Sequence, residues 1–199
     1  HAQYSTHLPL GQQHAILPLC ETASVFCELI ISESLYQNAK TKDEQRVLLM
    51  TQLEDIMATS HRQNMFSQFE QAMHAALDNG PLSTDQLCQL YRAELTRLFG
   101  DAVDCPEHYD WEWLTIPHFL AVPFYVYAYN FGNLLVFGLY QRYKQDPSFV
   151  KDLKIILSAG SSASPTEILT RAGININEPA FWQASIQYIQ NLVENLENL

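Results

Sequence analysis

The sequence predicts an all-α fold, and three observations lead to that prediction. Apolar residues recur at helical spacing over most of the 199 residues, and no two apolar runs alternate with period two. Capping boxes, in which a polar side chain precedes Glu or Gln by three positions, begin at Thr41, Ser83 and Ser164. Glycine follows several of the helical segments, as is typical of helix ends. We therefore expect one helical domain over residues 1–199, with antiparallel helices where loops are short.

The first half of the chain is predicted to hold three helices after an irregular arm. Residues 1–18 contain prolines, a glycine and three histidines without a sustained period, which indicates a loop. Helical spacing of apolar residues then runs over about 19–39. The box at Thr41 is expected to open a long helix to about residue 79, and the box at Ser83 a helix to residue 99.

The central stretch, residues 111–143, is the most aromatic and least charged part of the chain. After a polar loop over residues 101–117, we expect a helix that is buried on nearly every side. Its apolar run is about as long as a membrane span, so a membrane-associated protein anchored by residues 124–140 is an alternative interpretation. The tyrosines cluster at one end rather than at two interfaces, which favours a helix buried in a soluble domain, without a membrane partner.

The last third of the chain is predicted to hold three shorter elements and a small-residue turn. Asp146-Pro147 begins a helix through residue 157. The turn over residues 158–164 is of the kind whose backbone can approach a ligand closely. Ser164, followed by proline and Glu167, begins a short helix that ends at Gly173. The last helix is expected over about 177–197.

Charge and cysteine content limit the classes of partner. The net charge is −11 and the pI is near 4.9, so no basic stripe exists to neutralise phosphates, and a nucleic-acid partner is excluded. The four cysteines lack the CxxC spacing of metal or redox sites and the density of a secreted scaffold. Cys20 and Cys27 lie in an apolar segment and are predicted to be reduced thiols in the core. A cytoplasmic location follows, and no signal peptide is visible.

Two glutamates share one face of the first predicted helix. Glu21 and Glu28 are seven residues apart, which is two helical turns. A carboxylate on a mostly apolar helix is costly unless it is paired or bound to a cation. Glu21 lies in the first turn, where the helix dipole alone favours an anion, whereas Glu28 lies deeper. No HExxH, P-loop or GxSxG motif occurs in the chain.

A histidine and three tyrosines make the central stretch a candidate polar pocket. Tyr125, Tyr127 and Tyr129 follow at intervals of two, so a helix places the first and third on one face and Tyr127 elsewhere. A buried phenol needs a hydrogen-bond partner, so tyrosines near His118 suggest a pocket that binds a polar group. A core helix whose hydroxyls reach the surface is an equally simple interpretation.

Three segments of the chain resemble three segments of one protein family, and they occur in the same order as in that family. They are LCETASVFCE (19–28), IPHFLAVPFYVYAYNFG (116–132) and LSAGSSASPTEILTRAGIN (157–175). They are similar to the second zinc helix, the His/Tyr segment and the Gly/Ser turn with its following helix in oligoendopeptidase F. That family comprises zinc metallopeptidases related to thimet oligopeptidase, and the whole chain resembles the carboxy-terminal half of their catalytic domain. His1 matches the last histidine of the family's HExGHxxH helix, which is not a zinc ligand.

The resemblance implies a role for each candidate residue. It makes Glu21 a zinc ligand. It makes Glu28 a carboxylate that orients the zinc ligands without contacting the metal. It assigns substrate binding and stabilisation of the tetrahedral intermediate to one histidine and three tyrosines of the central stretch. These are His118, Tyr125, Tyr127 and Tyr129. Among the tyrosines, Tyr127 and Tyr129 are favoured as oxyanion donors. The resemblance further implies Zn²⁺ as cofactor of the whole enzyme and short peptides as substrates.

The HExxH helix of the family would precede His1, so the chain is expected to be a piece of the catalytic domain. It is then inactive alone, binds zinc weakly or not at all, and has the upstream part of the same enzyme as partner. Without that helix, Val25, Phe26 and Leu29 are expected to lose cover and to promote self-association. The alternative hypothesis is a non-catalytic helical binding or scaffold domain that only shares the family's helices.

Overall fold

A computed structural model describes all residues, 1–199, and contains α-helices and no β-strand, which confirms the all-α prediction. The helices are α1 Thr22–Asn38, α2 Lys42–Ile56, α3 Arg62–Leu77, α4 Thr84–Phe99, α5 Pro117–Ala121, α6 Tyr127–Gln145, α7 Val150–Ser158, α8 Pro165–Arg171 and α9 Pro179–Glu197. Four 3-10 turns, Leu10–Gln12, Leu17–Leu19, Glu107–Thr115 and Pro147–Phe149, and a π-helical turn, Met57–His61, complete the chain. None of the helices combines the length and the apolar character that crossing a membrane requires.

Two of the predicted capping boxes are complete. At the start of α4, the Gln86 N–H donates to Ser83 Oγ (3.3 Å) and the Ser83 N–H donates to Gln86 Oε1 (2.8 Å). At the start of α8, the Glu167 N–H donates to Ser164 Oγ (3.3 Å) and the Ser164 N–H donates to Glu167 Oε2 (2.9 Å). Each box satisfies two backbone donors that the first turn of a helix leaves without a partner, so these helix starts are fixed locally.

The long helix predicted from Thr41 to residue 79 is interrupted. Thr41 Oγ1 accepts the Glu44 N–H (3.1 Å), as the capping motif predicts. The π-helical turn Met57–His61 then separates α2 from α3. A π-turn accommodates one extra residue, so it changes which face of the helix continues inward. The change coincides with the boundary between two packing units of the chain.

The prediction of one continuous helix through the central stretch is wrong. α5 ends at Ala121 and α6 begins only at Tyr127. Pro123 has no N–H to donate and disfavours a helical conformation of Val122, which adopts φ −143° and ψ 81°. Phe124 then has φ +57°, outside the right-handed helical region. The helix axis is therefore broken between the histidine and the tyrosines of the candidate site.

The chain divides into two compact units, one formed by residues 1–56 and 131–199 and the other by residues 57–130. The single domain expected over 1–199 stays a prediction. In the first unit, the residues of α6 from Leu135 to Tyr140 are buried in a core shared with helices α1, α2, α7, α8 and α9. Gly138 lies where a Cβ would be 2.7 Å from the Phe181 ring, so α6 and α9 pack closely because this residue has no side chain.

The second unit has an aromatic core of its own. Phe69 meets Tyr91 edge-on at 5.0 Å between ring centroids, and it meets Phe119 at 5.2 Å. Phe66 stacks on Tyr91 at 6.4 Å and meets Phe119 edge-on at 5.7 Å. Edge-to-face packing of this kind adds to the stabilisation from area burial. Because Phe119 belongs to α5, this core holds the helix that contains His118.

The expectation that Val25, Phe26 and Leu29 lose their cover is wrong, and Val25 is partly buried against the core of the first unit. The helix buries Thr22, Phe26 and Leu29 against the first unit, and the Phe26 ring contacts those of Tyr140 and Tyr143 at 5.7 and 5.6 Å. Phe26 and Leu29 are each 4% exposed, so neither loses its cover.

The two cysteines near this helix are exposed rather than part of the core. Cys27 follows Phe26 by one residue, which turns it about 100° away from the buried face. Cys20 precedes α1 and its thiol donates to the Ala15 carbonyl (3.2 Å). All four cysteines are free thiols.

Candidate functional site

Three of the four predicted substrate residues lie together in the second unit, as a ring cluster of His118, Tyr125 and Tyr129. The His118 imidazole stacks on the Tyr125 ring, with centroids 4.9 Å apart and planes within 9° of parallel. Tyr129 meets both rings edge-on, at 5.9 Å from His118 and 5.5 Å from Tyr125. All three side chains are half-buried. Imidazole N–H and phenol O–H groups are hydrogen-bond donors, so the ring cluster presents several donors on one small surface.

Tyr127 lies outside the ring cluster. It is the first residue of α6, two positions from Tyr129, and a two-residue step rotates a side chain by about 200° around a helix. Its side chain is 43% exposed, and its ring makes none of the contacts within the cluster. The sequence predicts this separation of Tyr127 from the other two tyrosines. The preference for Tyr127 as an oxyanion donor stays a prediction that the geometry does not favour over Tyr125.

A strained turn joins the two helices of the ring cluster. Phe124 is the one residue other than glycine with a positive φ, +57°. Holding a bulky residue there costs about 1–3 kcal/mol, so this conformation persists only where the surrounding structure determines it. The Phe124 N–H donates to Glu70 Oε1 at 2.6 Å, and Glu70 on α3 is only 1% exposed. Glu70 is not among the residues predicted from the sequence, although a glutamate next to Phe69 on the apolar face of a helix indicates a buried carboxylate.

A second polar contact fixes the start of α6. Ser60 Oγ donates to Asn130 Oδ1 at 2.5 Å, and the Asn130 amide lies 3.4 Å from Asn64 Oδ1. Ser60 belongs to the π-helical turn and Asn64 to α3, so the first turn of α6 is tied to both. The segment with the tyrosines is therefore anchored before Tyr125 by Glu70 and after Tyr129 by Asn130.

Ion pairs hold the segment that leads into α5. The Tyr91 hydroxyl donates to Glu112 Oε2 (2.6 Å), and the Arg62 guanidinium pairs with the other oxygen of the same carboxylate. Burial, and then the hydrogen bond to Glu112, raise the pKa of Tyr91 above its ordinary value, so the phenol stays neutral. Arg92 pairs with Asp110 in the same 3-10 segment. These pairs join residues up to 50 positions apart, which explains why sequence reasoning missed them.

The two predicted metal-site glutamates belong to the first unit. Glu21 is exposed immediately before α1, and its Oε2 accepts a hydrogen bond from Ser24 Oγ (2.7 Å). Glu28 is exposed two turns further along α1. An exposed carboxylate is solvated at little cost, so the burial argument for a cation at Glu28 no longer applies. The roles of both glutamates stay predictions. Partial burial, and then the Glu21 carboxylate, raise the pKa of the neighbouring Cys20 thiol.

The residues of this chain do not form a complete zinc site. A catalytic zinc has three protein ligands, and the structure contains no group of three or more His, Cys, Asp or Glu side chains arranged to hold a metal ion. Glu21 fits one position of such a set, because it is an exposed carboxylate oriented by a hydroxyl donor. Both ring nitrogens of His1 are buried without a hydrogen-bond partner.

The small-residue turn predicted to approach a ligand instead approaches the chain itself. Gly160 has φ +52°, and a Cβ at this position would collide with the Gln12 carbonyl and Leu8. The Ser161 N–H donates to that same carbonyl at 2.9 Å. The close approach that the glycine permits therefore fastens the N-terminal arm to the turn before α8.

The sequence of the chain matches a known family over most of its length. The sequence model of Peptidase family M3 matches residues 10–188. The chain belongs to peptidase family M3. This M3 chain is 28% identical to oligopeptidase PepF of Bacillus subtilis over 202 aligned residues, which include 100% of the chain and 30% of the relative. The resemblance to oligoendopeptidase F inferred from the sequence motifs is thereby confirmed.

Solved structures agree with this membership. The M3 chain superposes on a crystal structure from Chlamydophila abortus with a TM-score of 0.88 and 26% identity, over 100% of this chain and 34% of that one. It superposes on oligoendopeptidase-F from Enterococcus faecium with a TM-score of 0.79 and 26% identity, over 92% and 36% of the two chains. The M3 chain spans about a third of the length of these relatives.

Proposed function

We propose that this M3 chain acts within a zinc metallopeptidase that hydrolyses short peptides. The ring cluster of His118, Tyr125 and Tyr129 is the observation that most supports this function, because it places several donors together on the segment that resembles the family's His/Tyr segment. The family match over residues 10–188 and the oligopeptidases among the relatives support the same reaction class. The net charge of −11 argues against nucleic acid as a partner.

The ring cluster would act on the carbonyl oxygen of the scissile peptide bond. That oxygen becomes an oxyanion in the tetrahedral intermediate, and donors aimed at it stabilise the transition state more than the ground state. The Tyr125 and Tyr129 hydroxyls and an N–H of His118 are the donors of this chain. Because the three rings contact one another, each limits the rotation of the others, and the donors are oriented before substrate binds.

Glu21 would supply one carboxylate ligand to the zinc ion, and Glu28 would orient the zinc ligands without contacting the metal. When bound, zinc supplies a Lewis acid and lowers the pKa of a coordinated water. The remaining ligands would come from the rest of the peptidase, which is the proposed partner of this chain. With one of three ligands, the chain alone is expected to bind zinc weakly and to be inactive, as zinc analysis of chelator-washed protein would measure. The four free thiols support a cytoplasmic location.

Single tyrosine variants of the full-length protein test the proposed role of the ring cluster. We expect Tyr125→Phe or Tyr129→Phe to lower kcat by about 10²–10³-fold, as the loss of one oriented oxyanion donor does, while zinc content is unchanged. Tyr109→Phe is the matched control, since Tyr109 is exposed on the 3-10 segment of the same unit. Tyr127→Phe compares the fourth candidate directly with the clustered tyrosines. Fluorogenic peptide hydrolysis, zinc analysis and melting temperature are measured on each variant.

A purely structural role of the cluster gives a different result. Removing a hydroxyl that only packs shifts the free energy of unfolding by about 1 kcal/mol and leaves turnover near the wild-type rate. If the Tyr125 and Tyr129 variants melt early but hydrolyse peptides normally, the ring cluster is structural. The hypothesis of a non-catalytic helical binding or scaffold domain then becomes the better one.

A further inference from the structure

We propose that Glu70 is a positioning residue for the ring cluster, acting through the backbone of Phe124 rather than on the substrate. Its buried carboxylate holds the turn between α5 and α6 in the one conformation that stacks His118 on Tyr125. This inference rests on the proposed function for its catalytic consequence. Its structural part can be tested without any activity.

The carboxylate of Glu70 is buried and forms no ion pair. Glu70 is 1% exposed and takes part in none of the salt bridges of the chain. It lies on α3 beside Phe66 and Phe69, where an apolar side chain would be the ordinary occupant. A buried carboxylate is costly unless it is hydrogen-bonded, and this one accepts the Phe124 N–H at 2.6 Å. That bond is therefore the structural reason for an acidic residue at this position.

The turn at Phe124 needs a hydrogen bond of this kind to hold its backbone conformation. A turn with φ of +57° at its third position normally has glycine or asparagine there, because a side chain crowds the backbone. Here the position is occupied by Phe124, preceded by Pro123, which fixes the second position of the turn. The strained conformation thus depends on its surroundings, and the Phe124 N–H is held by a short hydrogen bond to the Glu70 carboxylate.

α3 holds the turn at two points. Glu70 and His74 are one helical turn apart on the same face of α3. Glu70 binds the Phe124 backbone, and the His74 ring lies 4.6 Å from the Phe124 ring. His118 precedes Phe124 by six residues and Tyr125 follows Phe124 directly. A change of φ at Phe124 therefore alters the direction in which one ring meets the other. The 4.9 Å stack of those two rings is therefore set by α3.

The structural part is tested by NMR on the chain itself. The Phe124 amide proton is expected far downfield and slow to exchange, as a short charge-assisted bond requires. Glu70→Leu removes the acceptor, so this signature is expected to disappear while the ring-proton shifts of His118 and Tyr125 change with the loss of stacking. Glu94→Gln is the matched control, because Glu94 is a second buried glutamate of the same unit, paired with Arg97. Unchanged Phe124 and ring signals in Glu70→Leu would overturn the inference.

The catalytic part is tested in the full-length protein. Displacing a donor by about 1 Å can cost roughly 100-fold in rate, so Glu70→Leu is expected to lower kcat by about that factor with a smaller change in KM and unchanged zinc content. Glu70→Gln keeps an acceptor oxygen and is expected to retain most of the activity. Phe124→Gly, added to Glu70→Leu, is expected to restore part of kcat, because glycine adopts a positive φ without strain. A purely structural role would lower the melting temperature without this rescue.

Each outcome separates the two proposals. If Glu70→Leu disrupts the stack and kcat falls with rescue by Phe124→Gly, both proposals are supported. If the stack is lost but kcat is unchanged, Glu70 positions the rings and the proposed catalytic function of the ring cluster is overturned. Should Glu70→Leu fail to fold, Glu70→Gln decides the matter. Its neutral acceptor is expected to move the Phe124 amide proton upfield, and an unmoved resonance would overturn the inference.

Discussion

At the scale of single residues, two carboxylates of this chain have sharply different surroundings. Glu21 is exposed and oriented by a hydroxyl, whereas Glu70 is buried and bound to a backbone N–H. Exposure suits a group that is to meet a cation or solvent, and burial suits a group that is to hold the fold. The same residue type therefore takes a proposed ligand role in one unit and a proposed positioning role in the other.

The pKa of the Cys20 thiol depends on the charge of the neighbouring Glu21 carboxylate. Partial burial and the Glu21 charge raise the pKa of Cys20, so less of the reactive thiolate is present at pH 8. Glu21→Gln removes the charge, lowers the pKa of Cys20 and is expected to speed its alkylation by iodoacetamide by a factor of a few. The difference narrows as the pH rises through the pKa, where both proteins hold the thiolate. Mass spectrometry of individual cysteines measures the rates, with exposed Cys27 as internal control. An equal Cys20 rate in both proteins would contradict this prediction.

At the scale of elements, the sequence predicts those features that depend only on residues close together in the chain. The boxes at Ser83 and Ser164 form from residues three positions apart. Pro123 is also a local signal, which the predicted continuous helix did not take into account. The turn at Phe124 was not predictable, because its conformation depends on Glu70, 54 positions earlier in the chain. The segment with the candidate histidine and tyrosines was identified from residue types, and the two-residue spacing already separated Tyr127 from the other two tyrosines. The contact of His118 with Tyr125 and Tyr129 depends on the turn and could not be predicted.

Two glycines of α6 are expected to respond to alanine in opposite ways. A Cβ at Gly138 would lie 2.7 Å from the Phe181 ring and 2.9 Å from Ser185 Oγ, whereas a Cβ at Gly132 meets only the Pro18 carbonyl at 3.6 Å. Overpacking costs about 1–3 kcal/mol, and alanine gains about 0.5–1 kcal/mol over glycine inside a helix. Gly138→Ala should therefore lower the free energy of unfolding and Gly132→Ala should raise it, as urea denaturation measures. Stabilisation by Gly138→Ala would show that α9 shifts readily away from α6.

At the scale of the whole molecule, the apolar surface lies on a different face of α1 from the one that the sequence suggested. Phe26 and Leu29 are covered, while Ile31 and Leu35 are 58% and 53% exposed. Leu35 lines a groove with Val47 of α2, which is 62% exposed. Helical periodicity predicts that α1 has a buried face, but which face it is depends on the core residues of other helices. Neighbouring exposed apolar side chains of this kind favour association.

Self-association through this face is the prediction for the molecule as a whole. We expect sedimentation velocity to give a mass that rises with concentration, and Leu35→Glu or Val47→Glu to reduce it, because a buried unpaired charge disfavours the interface. Val103→Glu is the matched control, since Val103 is 49% exposed in the other unit. A monomer at every concentration, or equal loss of association in all three variants, would contradict the prediction.

The bond between the Ser161 N–H and the Gln12 carbonyl has a consequence for anyone who tags or trims this chain. The N-terminal arm is not a free tail, because it supplies an acceptor to a turn that has no room for a side chain at Gly160. Deleting the arm would leave the Ser161 N–H, in the turn before α8, without its acceptor. The hydrogen-exchange rate of the Ser161 amide therefore measures whether the N-terminal arm is bound to this turn. The rate is expected to rise when the arm detaches.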